Sequence, residues 1–216
     1  DKNLRKVKTY LGVLEKNRKT NLRRVENIKI LPCGYKENNI LPTVDKFLDF
    51  TYGEKWGSID GHAWFHFSVE TEFENSYLFV RTEFSGWDAT KPQFILYING
   101  KIIQGLDINH LEALLPKGKS DIYLYGYTGF EISNAQFYAD IYELDEDVND
   151  LYYDVKYPYD VLSFADEESE QYAKILSYLS KTVSFLDLYD IPSKEFSQSV
   201  QQAKKYIREE YYGKYC

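Results

Sequence analysis

The sequence predicts an α+β protein: an antiparallel, jelly-roll-like β-sandwich preceded by one helix and followed by a helical segment. Three observations point there. Between His62 and Leu144 the apolar residues fall in short aromatic and β-branched runs of period two, bounded by turn residues. On both sides of that region the spacing changes to three and four, which is the spacing of one helix face. No helical pattern separates the strands, and parallel sheets need such crossovers, so an antiparallel sandwich is favoured.

At the start of the chain, Leu4, Val7, Leu11 and Leu14 make one apolar stripe with Lys and Arg between them, a helix over residues 1–19. Residues 26–61 contain Pro32, Gly34, Pro42, Gly53, Gly57 and Gly61, with Asn38 and Asn39, and read as irregular connections around short extended pieces. Strands are expected at Ala63–Val69, Tyr77–Phe84 and Phe94–Ile98. Asn99-Gly100, followed by Lys101-Ile102-Ile103, is a hairpin signal, because Asn and Gly tolerate the positive φ angles of a type I′ turn. Ile122–Tyr127 and Ala135–Leu144 are further strands. In the last, Phe137, Ala139 and Ile141 take one face and Tyr138, Asp140 and Tyr142 the other.

After Leu144 the pattern is helical. Asp145 suits a helix cap, and Glu146 and Asp147 suit the positive end of the helix dipole. Pro158 is expected to kink or end that helix near Tyr157. Asp166, with Glu167 and Glu168, repeats the start signal ahead of the stripe Tyr172, Ile175, Leu176, Leu179, Val183 and Leu186. Ile191-Pro192-Ser193 breaks the pattern, and a last helix turns Phe196, Val200, Ala203 and Ile207 inward. The expected division is an N-terminal helix at 1–19, a β-sandwich at 20–144 and a helical segment at 145–216.

Charge narrows the function. The 216 residues hold 26 Lys and Arg against 34 Asp and Glu, a net charge of −8. That argues against a general nucleic-acid binder, which needs a basic face. No apolar run reaches the roughly 20 residues of a membrane span, so no membrane partner is expected. Residues 1–29 carry ten basic and three acidic side chains, and residues 140–170 carry twelve acids against Lys156 alone. Such asymmetry lets parts of one protein, or two subunits, attract each other, so self-association into a homo-oligomer is compatible with it. Cys33 and Cys216 stand far apart without a CxxC or Cys/His spacing, which favours a reducing, cytoplasmic setting. The chain has no Met and stops directly after a helical pattern, so a fragment of a longer protein is expected.

The search for catalytic residues finds little. His62, His66 and His110 belong to no HExxH or His-x-Asp pair; His62 and His66 share a strand face, and a structural role is favoured over a metal pair. No GxSxG, GxxxxGK or GxGxxG is present. Trp56-Gly57 and Trp87-Asp88 are candidates for stacking on sugar rings, with core or interface packing as the stronger alternative for any one ring. The densest polar group is Gln104-Gly105-Leu106-Asp107-Ile108-Asn109-His110, on a loop leaving a strand. Either it presents functional groups, or Asp107 and Asn109 build an Asx turn while His110 bonds to the backbone.

A resemblance enters at these residues. Trp87-Asp88-Ala89-Thr90-Lys91-Pro92-Gln93-Phe94, Tyr97-Ile98-Asn99-Gly100-Lys101 and the segment Gln104–His110 resemble the N-terminal region of glycoside hydrolase family 38 α-mannosidases, of bacterial or cytosolic type. Trp56-Gly57, Trp64-Phe65 and Asp150-Leu151-Tyr152-Tyr153-Asp154 fit the same region in order, so the likeness covers most of residues 56–190. It is specific in 87–110, where Lys91 stands in place of an expected Asn.

The resemblance implies a retaining exo-α-mannosidase whose zinc is held by a His-x-Asp pair and further Asp and His ligands in a separate catalytic domain. Retention requires two carboxyl groups about 5 Å apart. No His in this chain is followed two residues later by Asp. The expectation is therefore a non-catalytic region with no cofactor or metal of its own, and with the catalytic domain of the same chain as partner. The α-mannoside would be the partner of the whole enzyme. An autonomous carbohydrate-binding module is the alternative. Trp87, Asp88, Gln104, Asp107, Asn109 and His110 are the candidates for sugar contact or for locking a domain interface, the latter favoured because Leu106 and Ile108 are apolar.

Overall fold

The computed structural model describes all residues except 37, 84–90 and 131–134, and divides the chain into a sandwich unit, residues 21–143, and a helical unit, residues 1–20 and 144–216. The strands are β1 (Lys19–Arg24), β2 (Lys29–Cys33), β3 (Leu48–Asp49), β4 (Lys55–Trp56), β5 (His62–Thr71), β6 (Ser76–Arg81), β7 (Gln93–Ile98), β8 (Lys101–Leu106), β9 (Glu112–Leu114), β10 (Gly118–Tyr127), β11 (Ala135–Gln136) and β12 (Tyr138–Leu144). They form a six-stranded sheet of order β3-β2-β5-β10-β7-β8, a four-stranded sheet of order β1-β12-β6-β9, and a small β11-β4 pair. The expected α+β class with an antiparallel sandwich is what the structure shows, since every registered strand pair is antiparallel.

Alternation builds the sandwich core. Phe65, Phe67 and Val69 of β5, Leu96 and Ile98 of β7, and Ile122 and Leu124 of β10 point inward from one sheet; Leu78 and Val80 of β6, and Ala139 and Ile141 of β12, do so from the other. Phe65 stacks on Phe137 with ring centroids 4.0 Å apart. The Asn99-Gly100 hairpin has φ angles of 51° and 82°, as a type I′ turn requires. The Asn99 side chain also accepts from the backbone N–H of Asp121 at 2.8 Å, pinning the turn to β10.

The opposite face of the six-stranded sheet is also partly dry. Trp64, Tyr97, Tyr123 and Tyr125 are buried there with Phe47. Lys36, Asn39, Pro42 and Phe47 are held against it, the first three by the tyrosine hydroxyls: Tyr97 donates to Asn39 Oδ1 at 3.2 Å, Tyr123 to the Pro42 carbonyl at 3.3 Å, and the Lys36 N–H donates to Tyr125 at 3.0 Å. A hydroxyl on a buried ring needs such a partner.

The helical unit holds α1 (Lys2–Asn17), α2 (Glu146–Leu162), α3 (Glu170–Ser184) and α4 (Lys194–Tyr206), the last continuing as a π-helix over Ile207–Tyr215. Val7, Leu11 and Leu14 of α1 share one core with Leu151 and Val155 of α2, Ile175, Leu179 and Val183 of α3, and Val200 and Ala203 of α4. The N-terminal helix thus belongs with the C-terminal ones. Asp145 caps α2, its carboxylate accepting from the Val148 N–H at 3.1 Å.

Two helix signals act differently from their simplest reading in this unit. Pro158 does not end α2, which runs to Leu162 with the proline buried inside it. Proline removes the donor for the carbonyl four residues earlier, here that of Asp154, and the Tyr212 hydroxyl replaces it at 2.8 Å. Asp166 does not cap α3; its carboxylate holds a preceding turn through the Glu168 N–H, and the cap is Ser169, which accepts from the Tyr172 N–H at 3.1 Å.

Candidate functional site

The segment Gln104–His110 is not one loop. Gln104, Gly105 and Leu106 continue β8, and only the residues after them turn. Asp107 Oδ1 accepts from the backbone N–H groups of Asn109 and His110, each at 2.8 Å, and lies 3.1 Å from His110 Nδ1. The turn of the Asx alternative is present at Asp107, while the His110 ring meets the Asp107 carboxylate in place of the expected backbone bond. Partial burial works against the Asp107 charge, but the N–H groups of Asn109 and His110 and the His110 ring outweigh it and hold its pKa below the ordinary carboxylate value. Gln104 donates from Nε2 to the Glu112 carbonyl at 3.1 Å, tying β8 to the start of β9. Asn109 is exposed, and the His110 side chain is 77% exposed.

The reason given for an interface does not hold. Leu106 belongs to the core of the sandwich itself and Ile108 is 7% exposed, so their apolar character is explained within the unit. Trp87 and Asp88 lie outside the described residues. Trp56 is a core residue, 3% exposed, with its ring against Phe65 and Phe94.

The histidines of β5 have local partners. His66 Nε2 lies 2.6 Å from Asp121 Oδ1, and its ring meets Tyr123 at 4.4 Å between centroids. His62 Nδ1 lies 2.6 Å from the Tyr125 hydroxyl, and its ring stacks on Tyr127 at 4.7 Å. Among the described residues no group of three or more His, Cys, Asp and Glu side chains is placed to hold a metal ion.

What the fold does bring together is a groove of about 320 Å³ on the outer face of β7, β8 and β10. Register explains its walls. Ile95 of β7 sits opposite both Tyr125 of β10 and Gly105 of β8, and Gln93 sits opposite Tyr127. Asp107 closes one end. Tyr127 gives one ring face to His62 and donates its hydroxyl to Asp60 Oδ1 at 3.0 Å. Desolvation and the Asp60 carboxylate raise its pKa, so the phenol stays a donor. Lys91 Nζ stands 5.5 Å from the Tyr127 ring centroid and donates to Gln93 Oε1 at 2.6 Å.

This set of groups holds ligands by ring contact and hydrogen bonds, and its volume is at the small end of ligand sites, which run from about 300 to 1,000 Å³. Sequence reasoning reached Asp107 and Gly105 but missed Tyr127, Gln93 and Ile95 as partners. The available signal was the glycine inside a strand, a mark either of a bulge, which the β7–β8 pair has, or of close approach by another molecule.

The fold defines the chain as an antiparallel β-sandwich joined to a helical unit. No family model matches the sequence, and no curated protein matches it. Solved structures that resemble it include glycoside hydrolases and carbohydrate-binding modules. A β-glucuronidase of an uncultured Clostridium species superimposes with a TM-score of 0.39 at 12% identity, over 60% of this chain and 30% of that one. The β-glucuronidase of Ruminococcus gnavus gives 0.37 at 11% identity, over 59% and 30%. A family 35 carbohydrate-binding module from Clostridium thermocellum gives 0.29 at 13% identity, over 56% of this chain and 95% of that one. The chain thus spans under a third of the length of the glucuronidases, and similarities of this size carry no conclusion about its activity.

Proposed function

We propose that this chain is a non-catalytic part of a longer glycoside hydrolase, of the α-mannosidase type that its motifs resemble, and that it supports a zinc-bearing catalytic domain encoded elsewhere in that polypeptide. One observation carries the reading. Parts of the two segments with the most specific likeness, Gln93-Phe94 on β7 and Gly105-Leu106-Asp107 at the end of the adjacent β8, line a single groove with Tyr125 and Tyr127. Residues that resemble a family's motif and converge on one concave surface are better accounted for by a shared task than by separate packing needs. A reducing, cytoplasmic setting belongs to the same proposal, in keeping with two free cysteines.

The test uses an aryl α-mannoside with zinc supplied. The 216-residue chain should give no turnover, and a longer natural chain should lose activity or stability when this region is deleted. Turnover by the 216 residues alone, or a longer chain indifferent to the deletion, contradicts the proposal.

A further inference from the structure

We infer that the groove over β7, β8 and β10 is a binding site for a neutral hexopyranose ring, with Tyr127 as its wall and the bare backbone at Gly105 as its floor. The choice of sugar rests on the glycosidase reading above, whereas the site rests on the groove alone.

Gly105 is the main argument. It is exposed as the next-to-last residue of β8, just past the register shift between Ile102 and Gln104 and itself in register with Ile95. Its φ lies outside the left-handed region, so the backbone does not require glycine. Nor does packing, because a Cβ placed there meets only the Phe94 carbonyl, at 3.7 Å. Gly126 shows the contrast: a Cβ there would strike Trp56 at 2.8 Å and Phe94 at 2.9 Å, so the core itself excludes a side chain. At Gly105 the space a side chain would fill is the groove, which Gly105 lines. The fold tolerates a larger residue; the open floor does not.

The remaining groups set the ligand class. His62 takes one face of Tyr127 and Lys91 Nζ stands over the ring at 5.5 Å, so a pyranose would bring its C–H groups to the ring beside that ammonium, and its hydroxyls need donors and acceptors together. Gln93 supplies both, the Asp107 carboxylate accepts, and the backbone contacts of Asp107 fall on Oδ1 alone. Charge then discriminates. The Asp107 carboxylate lines the groove, whereas the cations over its rings, Lys91 at Tyr127 and Lys36 at Tyr125, are already turned to the side-chain amides of Gln93 and Asn39. An acidic sugar would have to draw these cations off their partners while meeting the Asp107 charge, so a neutral one is preferred.

The experiment is an NMR titration of the 216-residue chain with methyl α-mannopyranoside, methyl β-glucopyranoside and methyl β-glucuronide. Saturable shifts confined to the groove are expected with at least one neutral glycoside, at about millimolar affinity for a single ring. The glucuronide should bind at least several-fold more weakly. Tyr127→Ala should weaken the neutral glycoside by about tenfold. Gly105→Val, which the backbone accommodates, should abolish the shifts in a chain whose remaining spectrum is unchanged. Absence of groove shifts with both neutral glycosides, glucuronide binding as tight as theirs, or full affinity in Gly105→Val overturns the inference. None of these outcomes depends on whether a longer chain cleaves mannosides, so this site and the glycosidase reading fail separately.

Discussion

Pro158 would be expected to cost α2 a hydrogen bond, and the Tyr212 hydroxyl makes up the loss by donating to Asp154. Burial, and then the Asp154 carboxylate, push the Tyr212 pKa upward, so the donor persists well into alkaline solution. Tyr212→Phe should therefore lower stability by about 1 kcal/mol, read by urea unfolding. A variant as stable as the parent would mean that water serves this carbonyl equally well. The same limit on sequence reading recurs at Asp140. Alternation correctly set it opposite to the inward face of β12, yet its side chain is 5% exposed, because the Tyr52 hydroxyl lies 2.9 Å from both its oxygens and Arg81 joins at 3.3 Å. Tyr52 is far away in sequence, and no local pattern announces that contact.

Among the elements, those with a strong period were legible. The stripes of α1, α3 and α4 and the long strands β5, β10 and β12 follow directly from where the apolar residues stand. β1 and β9 were not legible, because one is mostly charged and largely exposed and the other has three residues, so neither carries an apolar alternation. The acidic stretch of α2 finds its cations on α4 and the π-helix: Lys204 lies 3.0 Å from Asp147 and 2.8 Å from Asp150, and Arg208 lies 2.6 Å from Asp154. The hydrogen bond from Lys204, opposed by burial, is the main reason that the Asp150 pKa falls below its ordinary value. A carboxylate lowered in this way stabilises the fold at pH above its unfolded value, and that contribution disappears as pH drops through the native value. Thermal melts of the helical unit should thus show a loss below about pH 4, and Asp150→Asn should flatten that limb. An acid limb of unchanged steepness in the variant contradicts the assignment.

Among the described residues there are three hydrophobic clusters, one between the sheets, one on the outer face of the six-stranded sheet and one among the helices. The change of period at Leu144 separated strands from helices, but did not show that α1 joins helices more than a hundred residues later, since a stripe does not name its partner. The candidate site was legible only in part. Asp107 and Gly105 stood out as polar and flexible residues, whereas Tyr127 and Gln93 join them through strand register, which no single stretch of sequence encodes. The central claim is that β8 carries a glycine to keep a sugar-sized groove open and not to serve the fold. Calorimetry of Gly105→Val beside the parent chain tests it most directly, by melting and by titration with methyl α-mannopyranoside and methyl β-glucopyranoside. Removing a glycine from within a strand should leave the melting temperature equal or higher, by up to about 1 kcal/mol of stability, while the binding heat of the parent disappears. A lower melting temperature with binding intact would show that Gly105 serves the strand, and the groove would lose its claim to a function.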